Sequence, residues 1–325
     1  MESIGELSVS ELLLRPRFEL IEQREGGFHW GESQFGVKWA LDAALEAQIK
    51  VGPLALLNRQ QFYNPDTDPE EWGIIEAYGA WNSPYGVFRM GLIPLDYGEE
   101  GATKEADLYF ERSQLFDRGV VALRDVGFNY SILHNGFFTS ITVHNGEAGE
   151  PEDRRTWYTA KWGWQDREKF RIGVAGQTGS TDPTITSLSG STLGNVDVSK
   201  EATWRTGTVF VKWFPSDFKM LFEAHLGEVK QESRLKEKYA GGHLDLMWDF
   251  SKHWGIQTRY DHFDENTKQD RDSTRIYSIG FSLTNTTQTS RLFLIGSKVF
   301  EEGLKTPNDQ VVLIWRLTPL TPIKK

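Results

Sequence analysis

Residues 243–250, His-Leu-Asp-Leu-Met-Trp-Asp-Phe, decide the fold: Leu244, Leu246, Trp248 and Phe250 alternate with His243, Asp245, Met247 and Asp249. A period of two is the pleat of a β-strand, whereas a helix needs apolar residues three or four apart. The same rhythm recurs at 158–165, where Tyr158, Ala160, Trp162 and Trp164 oppose Thr159, Lys161 and Gly163. At 276–283, Tyr277, Ile279, Phe281 and Leu283 oppose Ser278, Gly280 and Ser282, and at 86–95 Phe88, Met90 and Leu92 oppose Arg89 and Gly91. Working outward gives about sixteen such segments, from 13–23 and 34–44 to 309–319, each of roughly ten residues, the length a tilted strand needs to cross a bilayer. The stretch 40–49 (ALDAALEAQI) is rich in helix formers and leaves a short helix as an alternative there.

The connections alternate in length. Short ones at 82–85, 134–135, 165–168, 215–217 and 251–253 separate long polar ones at 57–72, 96–120, 147–155, 179–201, 230–238, 265–272 and 301–308. Tight periplasmic turns opposite long external loops are the asymmetry of outer-membrane barrels, and a soluble sandwich has no reason to adopt it. In hydrocarbon every backbone N–H and C=O must be paired, so a sheet can span only by closing on itself. The expectation is an all-β, transmembrane antiparallel β-barrel filling 1–325 as a single domain, wide enough for water.

Composition agrees. Hydrophobic residues make up only 38%, yet aromatics reach 13%, as a sheet greasy on one face and girdled by aromatics requires. No run approaches eighteen apolar residues, so no membrane helix is expected. There is no cysteine, hence no disulfide or thiolate site, and a formal charge of -10 argues against nucleic acid. Met1 precedes Glu-Ser-Ile-Gly rather than a basic and then apolar leader, so a signal peptide is expected to have been removed.

Alternation assigns Arg15, Arg17, Lys38, Lys50, Arg89, Lys161, Arg171, Lys212, Arg259, Lys298 and Arg316 to the lumen, with the acids Glu19, Asp42, Glu76, Asp125, Glu223, Asp245, Asp249 and Asp261. Basic residues dominate the early strands and acids the later ones, a separation that would filter solutes by charge. The connection 96–120 carries Glu99, Glu100, Lys104, Glu105, Asp107, Glu111, Arg112, Ser113 and Arg118 together with Tyr109, Phe110, Leu115 and Phe116. A loop that only waved in solvent would not need those apolar contacts, so it is expected to fold inward as a constriction. Selectivity is then expected from Arg89, Arg112 and Arg124 facing Glu99, Glu105 and Glu111.

Residues 74–146 also resemble the phosphate-selective porins O and P. IIEAYGAW at 74–81, FRMGLIPLDYGEE at 88–100, FERS at 110–113, RDVG at 124–127 and VHNG at 143–146 are similar to that family's motifs in order and spacing. The resemblance implies a sixteen-stranded trimeric channel in outer-membrane lipid and lipopolysaccharide, with its third external loop turned inward. It assigns Glu111, Arg112, Ser113, Arg124 and Asp125 to the constriction and pore wall, and anions such as phosphate to the solutes. The chain departs at Leu92-Ile93-Pro94, where the family has Phe-Lys-Pro, and in a net acidic loop, whereas a phosphate site wants clustered Lys and Arg.

Two other classes remain open. A barrel lipase or acyltransferase needs a His-activated nucleophile, and His225 and His243 lie near Glu223 and Asp245, but no Gly-x-Ser-x-Gly elbow occurs. A structural or adhesive barrel would use its acidic outer loops. Neither a cofactor nor a metal site is expected from the His and Asp spacing.

Overall fold

A computed structural model describes residues 6–22, 26–54, 56, 71–146, 155–166, 169–181, 200–231, 236–269, 272–302 and 308–318. Eighteen strands form one sheet in which every ladder is antiparallel between chain neighbours, apart from the first few. β1 (Glu6–Leu13) and β2 (Arg17–Ile21) are two halves of one stave, as are β3 (Gly27–His29) and β4 (Gln34–Ala40). β1 pairs with β4 and β2 with β3, so merging each pair leaves sixteen staves. The breaks face each other: Pro16 lacks an N–H to give the ladder, and Gly31 turns at φ 57, where a Cβ would meet the Arg15 carbonyl at 2.3 Å.

The remaining staves follow as β5 (Leu45–Pro53), β6 (Trp72–Ser83), β7 (Gly86–Pro94), β8 (Arg124–His134), β9 (Phe137–His144), β10 (Trp157–Asp166), β11 (Phe170–Thr181) and β12 (Ala202–Trp213). They end with β13 (Phe218–Gln231), β14 (Glu237–Trp248), β15 (Trp254–Asp264), β16 (Ser273–Thr284), β17 (Ser290–Glu301) and β18 (Gln310–Leu317). β18 returns to β2, with Gln310 opposite Ile21 and Ile314 opposite Arg17, and that pairing closes the barrel. The first two staves begin at Glu6 and Gly27 rather than at 13 and 34, and 41–44 is a turn, not a helix, because Asp42 caps the backbone N–H groups of Ala44 (2.6 Å) and Leu45 (2.7 Å).

Hairpin turns lie at one rim. Asn135 (φ 49) and Gly136 (φ 84) form one of them, and both adopt the positive φ that a tight hairpin turn needs. Near this rim the outward Trp39, Trp81, Trp213, Trp248, Trp254 and Trp315 are all exposed, while Trp72, Tyr158, Tyr260 and Tyr277 stand outward toward the other rim. Between these girdles the outer face is apolar, with Ile172, Val174, Val209, Ile279 and Leu294 exposed. Most of loops 57–72, 147–155 and 179–201 lies outside the described residues.

Candidate functional site

The long connection after β7 leaves the rim and runs through the barrel interior, where its side chains contact opposite walls. Two apolar anchors hold it. Tyr97, Leu115, Phe116, Val120, Val121 and Leu123 pack on the inward Trp157, Trp204, Val229, Tyr239 and Phe263 of β10 to β15. Phe110, flanked by Tyr109, packs on Phe293, Ile295, Val312 and Ile314 of β17 and β18. Inward apolar residues thus meet a folded loop rather than water.

Ion pairs hold the remainder. The Glu105 carboxylate accepts from Arg112 Nη2 (3.1 Å), Arg124 Nη2 (3.0 Å) and Gln34 Nε2 (3.0 Å). Arg124 also donates to Glu76 (3.2 Å), which pairs with Lys50 (3.1 Å), itself 2.7 Å from Glu11. Burial pushes the Glu105 carboxyl up, but the Arg124 and Arg112 guanidiniums outweigh it and hold the group well below the usual carboxylate range. On the opposite wall Glu99 is met by Lys212 (3.0 Å), Arg171 (3.2 Å) and Lys161 (3.7 Å), and Lys161 also reaches Asp96 (2.7 Å). Glu100 accepts from Arg259 Nη2 (2.9 Å) and the Ser113 N–H (2.9 Å), and the Gln114 N–H donates to Asp261 (2.9 Å). Burial also pushes Glu100 up, and His243 and Arg259 bring it below its ordinary value.

Of the other loop residues, Arg118 pairs with Glu265 and donates to Thr274 (3.1 Å), and Glu111 takes Arg17. Lys104 and Asp107 are exposed, and Asp107 lines the interior cavity. Arg15 is buried and donates to the Phe110 carbonyl (3.3 Å). Asp125 is fixed on the wall by the His144 ring (2.6 Å).

Several expected placements do not hold. Arg112 and Arg124 do not face Glu105 across water but bond to it, because all three are buried in one network. Arg89 faces inward as expected, but it bonds to the wall residues Asn129 (3.2 Å) and Ser131 (3.4 Å) rather than to a loop acid. Asp42 lies in a turn, since its backbone-capping role takes it out of the ladder. Lys298 stands outward with Leu292, Leu294 and Phe300 and pairs with Asp309. Alternation does not reveal its parity because 292–295 (Leu-Phe-Leu-Ile) is apolar on both faces: Leu292 and Leu294 face outward while Phe293 and Ile295 pack under the loop. The inward cation of this stave is Arg291, buried at the cavity wall.

A cavity of about 1210 Å³ lies between the loop and the hairpin-turn rim. Loop residues Glu99, Thr103, Asp107, Leu108 and Tyr109 line one side, and Arg171, Lys212, Lys219, Asp245, Asp249, Arg259, Arg291 and Arg316 the other. The early-basic, late-acidic separation is therefore not what meets water here, since the cavity's cations come from β11 to β18. Glu99, Asp245 and Asp249 are each ion-paired to a lining cation. Lys219 instead donates to the Tyr109 hydroxyl and Arg316 to the Ala106 carbonyl (2.5 Å), and neither has an ion pair among the described residues. The guanidinium carbon of Arg291 sits 4.6 Å from the centre of the Tyr109 ring, and the Lys219 ammonium sits 4.8 Å from it. Sequence reading missed Lys219, although Lys219, Leu221 and Glu223 share one parity.

The fold has counterparts among solved structures. A loop-deletion form of OmpT, an outer membrane protein of Vibrio cholerae, superposes with a TM-score of 0.72 at 12% identity, covering 97% of this chain and 100% of that one. An anion-selective porin from Comamonas acidovorans gives 0.69 at 11% identity, over 96% and 100%. The outer membrane channel DcaP of Acinetobacter baumannii gives 0.69 at 12%, over 98% of each. No curated protein matches the sequence. A family model described as "Putative beta-barrel porin-2, OmpL-like" matches residues 16–298, most of the barrel wall and the whole interior loop. The chain belongs to that family of outer-membrane β-barrel porins.

Proposed function

We propose that the chain is a passive diffusion channel favouring small anions, phosphate among them, and that loop 96–120 is its constriction. The carrying observation is Lys219 and Arg316, two cavity cations with no ion pair among the described residues. A positive charge in a confined aqueous space raises the local concentration of anions and lowers that of cations. The acids that make the loop net negative do not cancel this. Glu99, Glu100 and Glu105 are buried, and each is ion-paired to a neighbouring cation that offsets its charge. The lining counts seven cations against five carboxylates, Lys252 and Asp217 at the turns included.

In this reading solutes pass between the wall and the loop edge that carries Lys104 and Asp107, and the barrel assembles as a homotrimer in lipid and lipopolysaccharide. An anion-selective porin shares the fold, and one solved form of OmpT is described as a trimer, which agrees with both parts. Planar-bilayer recording tests the reading. Conductance should appear in groups of three steps, with a reversal potential in a potassium chloride gradient on the anion side, and phosphate should carry current when it replaces chloride. Cation-side reversal would overturn the anion preference, and a silent bilayer would overturn conduction itself.

A further inference from the structure

Where the loop meets β13 and β14, Glu100, Glu223 and His243 bring one ligand atom each within 4.8 Å of one another, all three buried. His243 Nε2 lies 3.4 Å from Glu223 Oε2 and 3.6 Å from Glu100 Oε2. A tetrahedral ion with bonds of about 2.0–2.1 Å separates its ligands by about 3.3–3.4 Å, so these are ligand-to-ligand edges. Each carboxylate also divides its work. Glu223 Oε1 accepts from the N–H groups of Glu99 and Glu100 (3.2 Å), leaving Oε2 for the shared space. Glu100 Oε1 takes Arg259 (2.9 Å), while its Oε2 takes Ser113 and turns toward the imidazole. The far nitrogen of His243, Nδ1, lies 3.3 Å from Asp245 Oδ1, the carboxylate–histidine arrangement that orients metal-binding imidazoles.

A second, independent observation points to a ligand at the same place. Next along the inward face of β13, His225 is 2% exposed, and neither of its ring nitrogens has a hydrogen-bond partner among the described residues. It stands two residues from Glu223 on that face, opposite Gly241, which is itself two residues before His243.

We propose that Glu100, Glu223 and His243 bind a divalent transition-metal ion, zinc by its ligand chemistry, oriented by Asp245. The ion pins the interior loop to the wall, because Glu100 belongs to the loop and the other two ligands to adjacent staves. Sequence spacing alone hides the site, since 123 residues separate Glu100 from Glu223. The proposal rests on the loop's docking and is independent of whether the barrel conducts.

The test uses untagged, detergent-solubilised full-length protein, stripped by a chelator and reloaded with zinc or cobalt(II). One equivalent of zinc per chain should survive desalting, and cobalt should show the strong visible absorption of a four-coordinate site. X-ray absorption on the zinc form should find one imidazole and carboxylate oxygens. His243→Ala and Glu223→Gln should each weaken binding at least about tenfold, and Asp245→Asn by about 10–100-fold. Absence of bound zinc in the wild-type protein overturns the proposal, as does binding unchanged in folded His243→Ala. Should the variants not fold, a zinc spectrum without imidazole on the wild type still overturns it.

Discussion

Replacing Lys219 and Arg316 together by glutamine removes two cavity cations that have no ion pair among the described residues, without touching the carboxylates. An anion passing about 6 Å from one of these charges in water gains about 0.7 kcal/mol, and screening at 0.1 M salt leaves about 0.4 kcal/mol. A cation loses as much. Each charge therefore biases the anion-to-cation permeability ratio by about 0.8 kcal/mol, or about fourfold, and the pair by about fifteenfold. Low-dielectric walls would only enlarge the effect. Reversal potentials in a potassium chloride gradient measure the ratio directly. Arg316→Lys keeps the charge and should leave the ratio in place, which separates electrostatics from loss of the hydrogen bond to the Ala106 carbonyl. A double variant within about twofold of the wild type would refute the claim that the wall, and not the loop, sets the field.

Glu105→Ala strands Arg112 and Arg124, both buried, without their shared carboxylate. Breaking such a pair costs about 3–5 kcal/mol, so amide exchange in 99–123 should accelerate while the strands stay protected. The same group fixes the pH response. Its folded pKa lies well below the ordinary value, so its contribution to docking is complete above about pH 4.3 and fades only as pH falls through the lower folded value. Exchange of the loop, corrected for the intrinsic rate, should therefore stay level from neutral pH to about pH 5 and rise only in stronger acid. Leu294→Arg puts a charge on the lipid face and should cost about 2–4 kcal/mol in denaturant unfolding from lipid, if Leu294 lies near the midplane.

The barrel was legible in the sequence because both of its causes are local. Alternation records which face meets lipid, as Tyr158 to Trp164 and Tyr277 to Leu283 do residue by residue. Turn chemistry records the rim, as Asn135-Gly136 does. Legibility failed where the inner face stopped being polar. Phe293 and Ile295 are inward and apolar because the loop covers them, so polarity no longer distinguishes inside from outside and Lys298 fell on the wrong face. It failed again at the first two staves, where Pro16 and Gly31 interrupt the ladder and hide the strand ends.

The charges of the interior loop show the deeper limit. Counting its acids predicts a negative constriction, but a carboxylate's effect on a passing ion depends on what it touches, and those contacts are remote in sequence. Glu99 meets Lys212, Glu100 meets Arg259 and Glu105 meets Arg124. Each pair cancels charge at short range, and for Glu100 and Glu105 it does so between buried groups, where the attraction is strong. What reaches the cavity is the remainder, in which Arg171, Lys219, Lys252 and Arg316 outnumber Asp107 and Asp217. A net acidic loop can thus sit in an anion-favouring cavity, because neutralisation is a property of the docked pair and not of the segment.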